Sequence, residues 1–143
     1  MYSYGFFHGW ALVRLLQDGK TSKVKLYSGN NAYLVNDFAC IYFKHSSKRL
    51  SPWLFTFMPE HIKEIQNIRK TIKNTYIVLI CNDNGICCLS YDEFRQLIFI
   101  GDFEKSKNIR VFRSPREKYS ISGTDGKLSY KIGNNDFPRK IFL

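Results

Sequence analysis

Residues 39–44, Ala-Cys-Ile-Tyr-Phe-Lys, form an unbroken run of apolar side chains that ends in a lysine. Successive side chains of a strand point to opposite faces of its sheet, so this run is apolar on both faces. A strand of this kind lies in the middle of a sheet whose two sides are both covered. The run therefore predicts a central strand over residues 39–44 and a layer of structure on each side of it.

Three further β-prone runs surround the central strand, at residues 24–27, 32–35 and 53–57. Residues 36–37, Asn-Asp, connect the second run to the central strand, and both residue types tolerate a positive φ. We therefore expect a two-residue hairpin in which Val35 pairs with Phe38. In that register Asn31 lies opposite Tyr42.

The first predicted helix covers residues 6–17, and Asp18-Gly19 supplies its stop signal. Large apolar residues recur there at three- and four-residue spacing. The stripe expected to be buried consists of Phe6, Trp10, Val13 and Leu16, widened by Leu12 and Leu15. Because both faces carry large apolar groups, we expect the whole helix to be well buried.

Two more helices follow the same rules. The second begins at Pro59 and ends near Ile72 or Lys73. Its expected buried stripe is Ile62, Ile65, Ile68 and Ile72. The third opens at a capping box formed by Ser90 and Glu93, and it carries Phe94, Leu97 and Ile98 inward.

The rest of the chain is rich in β-prone segments. A hairpin is predicted at 76–81 and 86–89, and strands at 109–112, 119–122 and 128–132. The predicted fold class is α/β (α+β), with a mixed central sheet flanked by helices and a β-rich C-terminal part. Residues 1–143 are expected to form a single domain, with a core over 1–80 and an extension of hairpins and a short helix over 81–143.

The composition favours an anionic partner. The chain has 22 Lys and Arg against 12 Asp and Glu, a formal net charge of +10. This balance points first to nucleic acid and second to an anionic membrane surface. The longest apolar run, about five residues, is far shorter than the ~20 residues of a membrane helix. The N-terminal sequence also lacks the features of a signal peptide, so no membrane partner and a cytoplasmic location are expected.

No motif assigns a reaction. The four cysteines, Cys40, Cys81, Cys87 and Cys88, contain no Cys-x-x-Cys pair, so buried free thiols are expected. Gly-x-Ser-x-Gly and glycine-rich phosphate loops do not occur. His61 is expected to be exposed and His8 to serve capping or packing. Glu60 and Glu64 are expected to face solvent near the positive end of the second helix. No metal site and no small-molecule cofactor are predicted.

The order helix, three strands and a Trp-Leu-Phe strand over about residues 5–80 resembles the restriction-endonuclease-like, or PD-(D/E)XK, nuclease superfamily. The nearest likeness is to its small intron-associated and Holliday-junction-type members. In that family an aspartate on one strand and Glu-x-Lys or Gln-x-Lys on the next assemble a metal site beside the first helix. The resemblance implies a restriction-endonuclease-like core in which Lys44 occupies the position of the catalytic lysine.

The sequence departs from the family pattern at the acidic positions. Tyr42 stands where the metal-binding carboxylate is expected, and residues 30–33 offer no aspartate at the level of the other ligand. Magnesium prefers carboxylate oxygens, so it is expected as a cofactor only if nuclease activity survives. The resemblance therefore implies a degenerate nuclease-like fold with Lys44 as a catalytic vestige.

Two groups of basic residues point to binding. The first comprises Lys44, His45, Lys48 and Arg49, with Trp53 just beyond it, and the second comprises Arg110, Arg113, Arg116 and Lys118. Cations beside aromatic rings neutralise a phosphate backbone and stack on bases. We expect both groups to face one side of the protein, in a groove that opens beside the first helix and excludes Glu60 and Glu64.

The sequence thus favours a nucleic-acid-binding protein without catalysis, with nucleic acid as its expected partner. One alternative is a protein-interaction or homo-oligomer-forming module, because aromatic residues make up 16% of the chain and commonly anchor interfaces. The other is an active metal-dependent nuclease with atypical ligands.

Overall fold

A computed structural model describes residues 4–99 and 105–143. Its elements are α1 (Tyr4–Gln17), β1 (Val24–Ser28), β2 (Ala32–Val35), β3 (Ala39–Ser46), β4 (Trp53–Phe57), α2 (Pro59–Thr71), β5 (Asn74–Cys81), β6 (Gly85–Ser90), α3 (Tyr91–Leu97), β7 (Lys107–Phe112), β8 (Ser120–Gly123) and α4 (Asp136–Arg139). A 3-10 turn, Lys140–Phe142, ends the chain.

A five-stranded mixed sheet is the centre of the molecule. Its strand order is β1-β2-β3-β5-β6, and β3 lies in the middle. β3 and β5 run parallel, whereas the other neighbours are antiparallel. A parallel pair needs a long connection, which β4 and α2 provide. The predicted central strand is confirmed, and it extends two residues beyond Lys44.

The side chains of β3 divide the core into two parts. Cys40 and Tyr42 belong to the part that contains the isoleucines of α2. Ile41 and Phe43 belong to the part that contains the buried face of α1. The predicted α+β fold with a mixed sheet flanked by helices is confirmed. The proposed boundary after residue 80 falls inside β5, which ends at Cys81. The next strand, β6, pairs with β5 in the same sheet.

A second sheet, of three strands in the order β4-β7-β8, covers the α2 side. Trp53, Phe55 and Phe57 point inward from β4, and Ile109 and Val111 point inward from β7. β4 therefore leaves the central sheet, a separation that nothing in its local sequence indicates. Its β propensity is satisfied equally well in either sheet.

The predicted strand over 128–132 is wrong. Residues there form only two isolated bridges, Tyr119 with Ile132 and Ser122 with Lys127. Five residue steps separate Lys127 from Ile132, whereas three separate Ser122 from Tyr119. A continuous ladder requires equal numbers on both strands, so this segment bows away from β8.

The buried face of α1 is centred opposite the predicted stripe, of which only Leu15 is fully buried. Phe7, Ala11 and Leu15 are fully buried against the central sheet. Val13 and Leu16, from the predicted stripe, are 50% and 52% exposed. Both faces of the helix are apolar, so the helical period alone does not distinguish them. Packing against the sheet selects the face.

The C-terminal segment covers the β6 edge of the central sheet. The side-chain oxygen of Asn134 accepts a hydrogen bond from the Ile86 amide at 2.8 Å. Lys140 donates to the carbonyl of Cys88 at 2.8 Å. An uncovered edge would leave these groups open to pairing with another chain. Gly85 allows the close packing, because a Cβ there would collide with the Tyr119 hydroxyl and the Asn134 amide.

Several local predictions are confirmed. Ser90 and Glu93 form the expected capping box, with hydrogen bonds of 3.1 and 2.8 Å. The four cysteines are free and buried, and burial raises the pKa of Cys40 and of Cys88 to about 12. Within 4–99 and 105–143, no helix has the length and apolar character needed to cross a membrane.

His8 is buried between α1 and the central sheet, with 3% of its surface exposed. Its Nδ1 lies 2.9 Å from the hydroxyl oxygen of Tyr33, and its ring meets that of Phe43 edge-on at 5.0 Å. Burial, together with the charge of His45, lowers the pKa of His8 to about 4. His8 is therefore a neutral packing residue, as predicted from the sequence.

The buried His8 makes stability depend on pH. The pKa of His8 is lower in the folded chain than in the unfolded chain. As the pH falls, the imidazole of the unfolded chain is therefore protonated first. The free energy of unfolding decreases as the pH falls from about 6.5 towards 4. Between pH 7 and pH 5 we expect His8 to account for up to about 2 kcal/mol of lost stability. Urea unfolding of wild type and His8→Phe at both pH values measures this difference.

His45 is exposed, and its charge is the smaller of the two causes of the low His8 pKa, so its substitution separates that cause from burial. His45→Gln should retain most of the wild-type pH dependence. A wild-type pH dependence in His8→Phe would show that His8 is not the group responsible.

Candidate nucleic-acid interface

Lys44 points from β3 towards α2, away from α1. Its Nζ lies 3.3 Å from Nδ1 of His61 and 5.1 Å from the centre of the Phe57 ring. Burial lowers the pKa of Lys44. Among the described residues, no carboxylate forms an ion pair with Lys44. The lysine is thus half-buried between an aromatic ring and an imidazole.

His61 is held by the start of α2. Its Nδ1 accepts a hydrogen bond from the backbone N–H of Met58 at 3.1 Å. The same nitrogen therefore carries no proton and accepts from Lys44 as well. Burial, then the charge of Lys44, lowers the pKa of His61. The expectation of a fully exposed histidine is wrong, because the ring caps the helix.

Tyr42 binds a carboxylate that the sequence placed in solvent. Its hydroxyl donates to Oε1 of Glu64 at 2.8 Å, so Glu64 is half-buried rather than solvent-facing. Burial, then this hydrogen bond, raises the pKa of Tyr42 well above its usual range. Residue Ala32, not Asn31, lies opposite Tyr42.

The one-residue difference in register arises at the β2–β3 turn. Asn36 and Asp37 both adopt positive φ, as expected. The amide of Phe38 bonds to the carbonyl of Val35 at 3.1 Å, but the strand pairing resumes only at Ala39. Phe38 is an extra residue at the turn, which moves every later pair by one.

The residues around Lys44 do not fit a magnesium ion. Position 42 is a phenol and position 32 an alanine, and the nearby Glu64 already accepts from Tyr42. A hard cation needs several free oxygen ligands. Over the described residues there is no group of three or more His, Cys, Asp or Glu side chains placed to hold a metal.

His45 lies on the opposite face of β3 from Lys44. Its ring stacks on that of Phe7 in α1, with a centroid distance of 4.5 Å and an interplanar angle of 15°. Since β3 continues to Ser46, the basic loop covers only residues 47–52. Lys44 and His45 therefore point away from each other, and Lys48 and Arg49 are the exposed cations of that loop.

Trp53 is a core residue. It is 1% exposed, its Nε1 donates to the carbonyl of Lys48 at 2.8 Å, and its ring meets that of Tyr119 edge-on. It is therefore not available to stack on a base. Its hydrogen bond instead holds Lys48 in place.

Arg113 joins the two basic segments. Its backbone N–H donates to the hydroxyl of Ser51 at 2.9 Å. Its guanidinium donates to Oδ1 of Asn84 at 3.0 Å and to the carbonyl of Glu117 at 2.7 Å, and it lies 4.9 Å from the centre of the Tyr119 ring. The backbone N–H of Arg113 thus links loops 47–52 and 113–118, and the guanidinium is occupied by Asn84 and Glu117.

A cleft of about 440 Å³ lies where these two loops meet. It is lined by Leu50, Ser51, Trp53, Asn84, Arg113, Ser114, Pro115 and Arg116. Arg116 and Lys118 are exposed on one loop, as Lys48 and Arg49 are on the other. The acid of the second loop, Glu117, lies 3.5 Å from Lys131. We call this cleft and its four exposed cations the loop cleft.

Arg110 and the two glutamates of α2 lie at other clefts. Arg110 points outward from β7 and lines a cleft with Phe112. Glu60 and Glu64 line a third cleft, beside β1. Of the nine predicted binding residues, Trp53, Arg113 and Arg116 line the loop cleft, and Lys48, Arg49 and Lys118 are exposed on the two loops that form it.

Two residues at these clefts were missed by sequence reasoning. Asn84 stands in the β5–β6 turn, where it accepts a hydrogen bond from Arg113, 29 residues later in the sequence. Lys127 directly precedes the strand predicted over 128–132, and it forms an isolated bridge with Ser122. Neither carries a local signal, because each acquires its position from contacts with distant residues.

No family model, curated protein or solved structure was found to match this chain.

The stabilising role of the Arg113 guanidinium can be tested by substitution. Arg113→Lys removes the planar donor set that reaches both Asn84 and Glu117. Because Asn84 and Glu117 are exposed, we expect it to lower the free energy of unfolding by about 0.5–1.5 kcal/mol, the usual contribution of such hydrogen bonds. Arg116→Lys, at an exposed site of the same loop, should change it by less than about 0.5 kcal/mol. Equal effects of both substitutions in urea unfolding would contradict this role.

Proposed function

We propose that this protein binds nucleic acid through the loop cleft and does so without catalysis. The observation that carries the proposal is the 2.9 Å hydrogen bond between Arg113 and Ser51, which joins two cationic loops at one cleft. Arg116 lines this cleft, and Lys48, Arg49 and Lys118 are exposed on the two loops that form it, where their side chains can extend to phosphate groups. A phosphate backbone is the polyanion that a row of such cations binds best.

The charge balance of the whole chain supports a polyanionic partner. Several acidic side chains are already paired with lysines, including Asp37, Asp125 and Glu93. The net charge of +10 therefore resides on exposed cations, such as those of the loop cleft. Attraction between this charge and a polyanion also speeds encounter.

The resemblance to restriction-endonuclease-like proteins supports the same proposal. The helix and the three strands that carry the resemblance correspond to α1 and β1–β3, whereas the Trp-Leu-Phe strand, β4, belongs to the second sheet. Around Lys44 the ligand set does not fit magnesium, which favours binding over cleavage. Four buried free thiols agree with a cytoplasmic location, which we include in the proposal.

The first test removes two cations of the loop cleft. For Lys48→Ala with Arg49→Ala, we expect weaker binding to a labelled duplex at all sequences. We also expect the slope of log K against log salt to fall by about two units, one for each phosphate that is no longer neutralised. Fluorescence anisotropy from about 50 to 300 mM salt measures both.

The matched control for this test lies on α2 and after it. Lys70→Ala with Lys73→Ala also removes two exposed cations, but these residues line other clefts. It should leave the slope within about half a unit of the wild type. An equal reduction in both double variants would show that only the net charge matters, and no binding at about 50 mM salt would refute the proposal.

A second candidate function, self-association, is favoured by the outer face of α1. Val13 and Leu16 are half-exposed, and a Cβ at Gly9 would meet no atom within 4 Å. The single charged residue of α1, Arg14, points instead to the C-terminal segment, where it donates to Phe137. We propose a second copy of this chain as the occupant, because two copies of charge +10 can approach only through an uncharged face.

This association should respond to salt in the opposite sense to nucleic-acid binding. Screening weakens the repulsion between copies, so we expect the dimer fraction to rise between about 50 and 500 mM salt. Leu16→Glu should abolish the dimer, whereas Leu26→Glu, at a similarly exposed leucine of β1, should not. Sedimentation velocity measures the fraction. A wild-type monomer at all salt concentrations and at about 100 μM protein would refute this candidate.

A further inference from the structure

The outer face of the β4-β7-β8 sheet is open in the described structure. Its inner residues belong to the core, whereas Leu54 and Phe112 are 57% and 45% exposed. Arg110 lies between them in the sheet, directly opposite Leu54 on β4 and Ser122 on β8. A cation and an aromatic ring therefore share one flat, solvent-facing surface.

The same surface forms a cleft of about 620 Å³. Its lining residues are Arg110, Phe112, Ser120, Ile121, Ser122, Lys127, Leu128 and Ser129. They provide two cations, one aromatic ring and three hydroxyl groups, and they include no carboxylate. We call this cleft the sheet cleft.

The register places these groups in a defined order. Ser122 pairs with Arg110 on one side and forms a bridge with Lys127 on the other. Because adjacent strands lie about 4.8 Å apart, the backbones of the two cations are roughly 10 Å apart across the sheet. Phe112 follows Arg110 by two residues on the same face, about 7 Å along β7. The ring and a cation are thus neighbours, with hydroxyl groups alongside.

This set of groups suits an unpaired nucleotide. An exposed aromatic ring on a sheet can stack on a base only when that base is not already stacked inside a duplex. Arg110 and Lys127 can reach the phosphates on either side, and the serine hydroxyls can donate to phosphate or sugar oxygens. An acidic peptide would use the two cations but would have no use for the flat ring.

We propose that the sheet cleft binds single-stranded nucleic acid, with a base stacked on Phe112 and phosphates on Arg110 and Lys127. This inference rests on the proposed function and adds to it a preference for unpaired strands. The loop cleft supplies phosphate contacts to any strand, whereas the sheet cleft distinguishes single strands from duplexes.

The test compares three labelled probes by fluorescence anisotropy at about 100 mM salt. They are a 12-nucleotide thymidine strand, a 12-base-pair duplex and a 12-nucleotide abasic strand, which keeps the phosphates but lacks bases. Phe112→Ala should weaken binding of the thymidine strand by about 5- to 150-fold, the range measured when one base stack is removed. It should change binding of the duplex and of the abasic strand by less than twofold.

Variants separate stacking from folding and from charge. Phe112→Trp keeps a stacking surface and should bind the thymidine strand as tightly as the wild type or more tightly. Phe38→Ala removes another exposed phenylalanine, 40% exposed at the β2–β3 turn, and should have no effect. Arg110→Ala with Lys127→Ala should lower the salt slope on the thymidine strand by about one and a half units, since each phosphate on a single strand contributes about 0.7.

The outcomes distinguish this inference from the proposed function. If Phe112→Ala binds the thymidine strand as the wild type does, while Lys48→Ala with Arg49→Ala still weakens duplex binding, the sheet cleft is not the site and the proposed function stands. If no probe binds, both fail. Displacement of the thymidine strand by polyglutamate, at a charge concentration at which the abasic strand has no effect, would assign the cleft to an acidic peptide and overturn the inference.

Discussion

The middle strand of the central sheet is apolar on both faces, and this constraint organises the rest of the molecule. Tyr42 and Phe43, adjacent in sequence, are buried in different parts of the core. Neither face can remain in water, because each large side chain gains about 1.5–3 kcal/mol from burial. One face is covered by α1 and the C-terminal segment, and the other by α2, α3 and the second sheet. The three-layered arrangement is the consequence.

The second sheet places the candidate binding surfaces. Its inner face completes the core on the α2 side, which leaves its outer face to solvent together with the loops that enter and leave it. Loop 47–52 leads into β4 and loop 113–118 leads out of β7, and these strands are neighbours. Two loops that are about 60 residues apart in sequence therefore meet, and Arg113 and Ser51 are bonded there. The loop cleft lies at one end of the second sheet, and the sheet cleft lies on its outer face.

Charge is distributed in keeping with this arrangement. Acidic side chains serve internal contacts: Glu93 accepts from Tyr130 and Lys140 and caps α3, and Asp125 accepts from Lys107. Within residues 4–99 and 105–143, none of the four cations of the loop cleft forms an ion pair, and Glu117 pairs with Lys131. Surface ion pairs add little stability, so the fold does not depend on pairing these cations.

The sequence by itself determined the elements whose signals are local. The capping box at Ser90, the isoleucine stripe of α2 and the two-sided apolar pattern of β3 each follow from side chains within a few residues of one another, and the structure has them all. The tertiary structure alone decided the buried face of α1, the separation of β4 from the central sheet and the one-residue register difference at Tyr42. It also decided which cations meet. These features depend on packing and hydrogen bonds between residues distant in the chain, and no local pattern records such contacts.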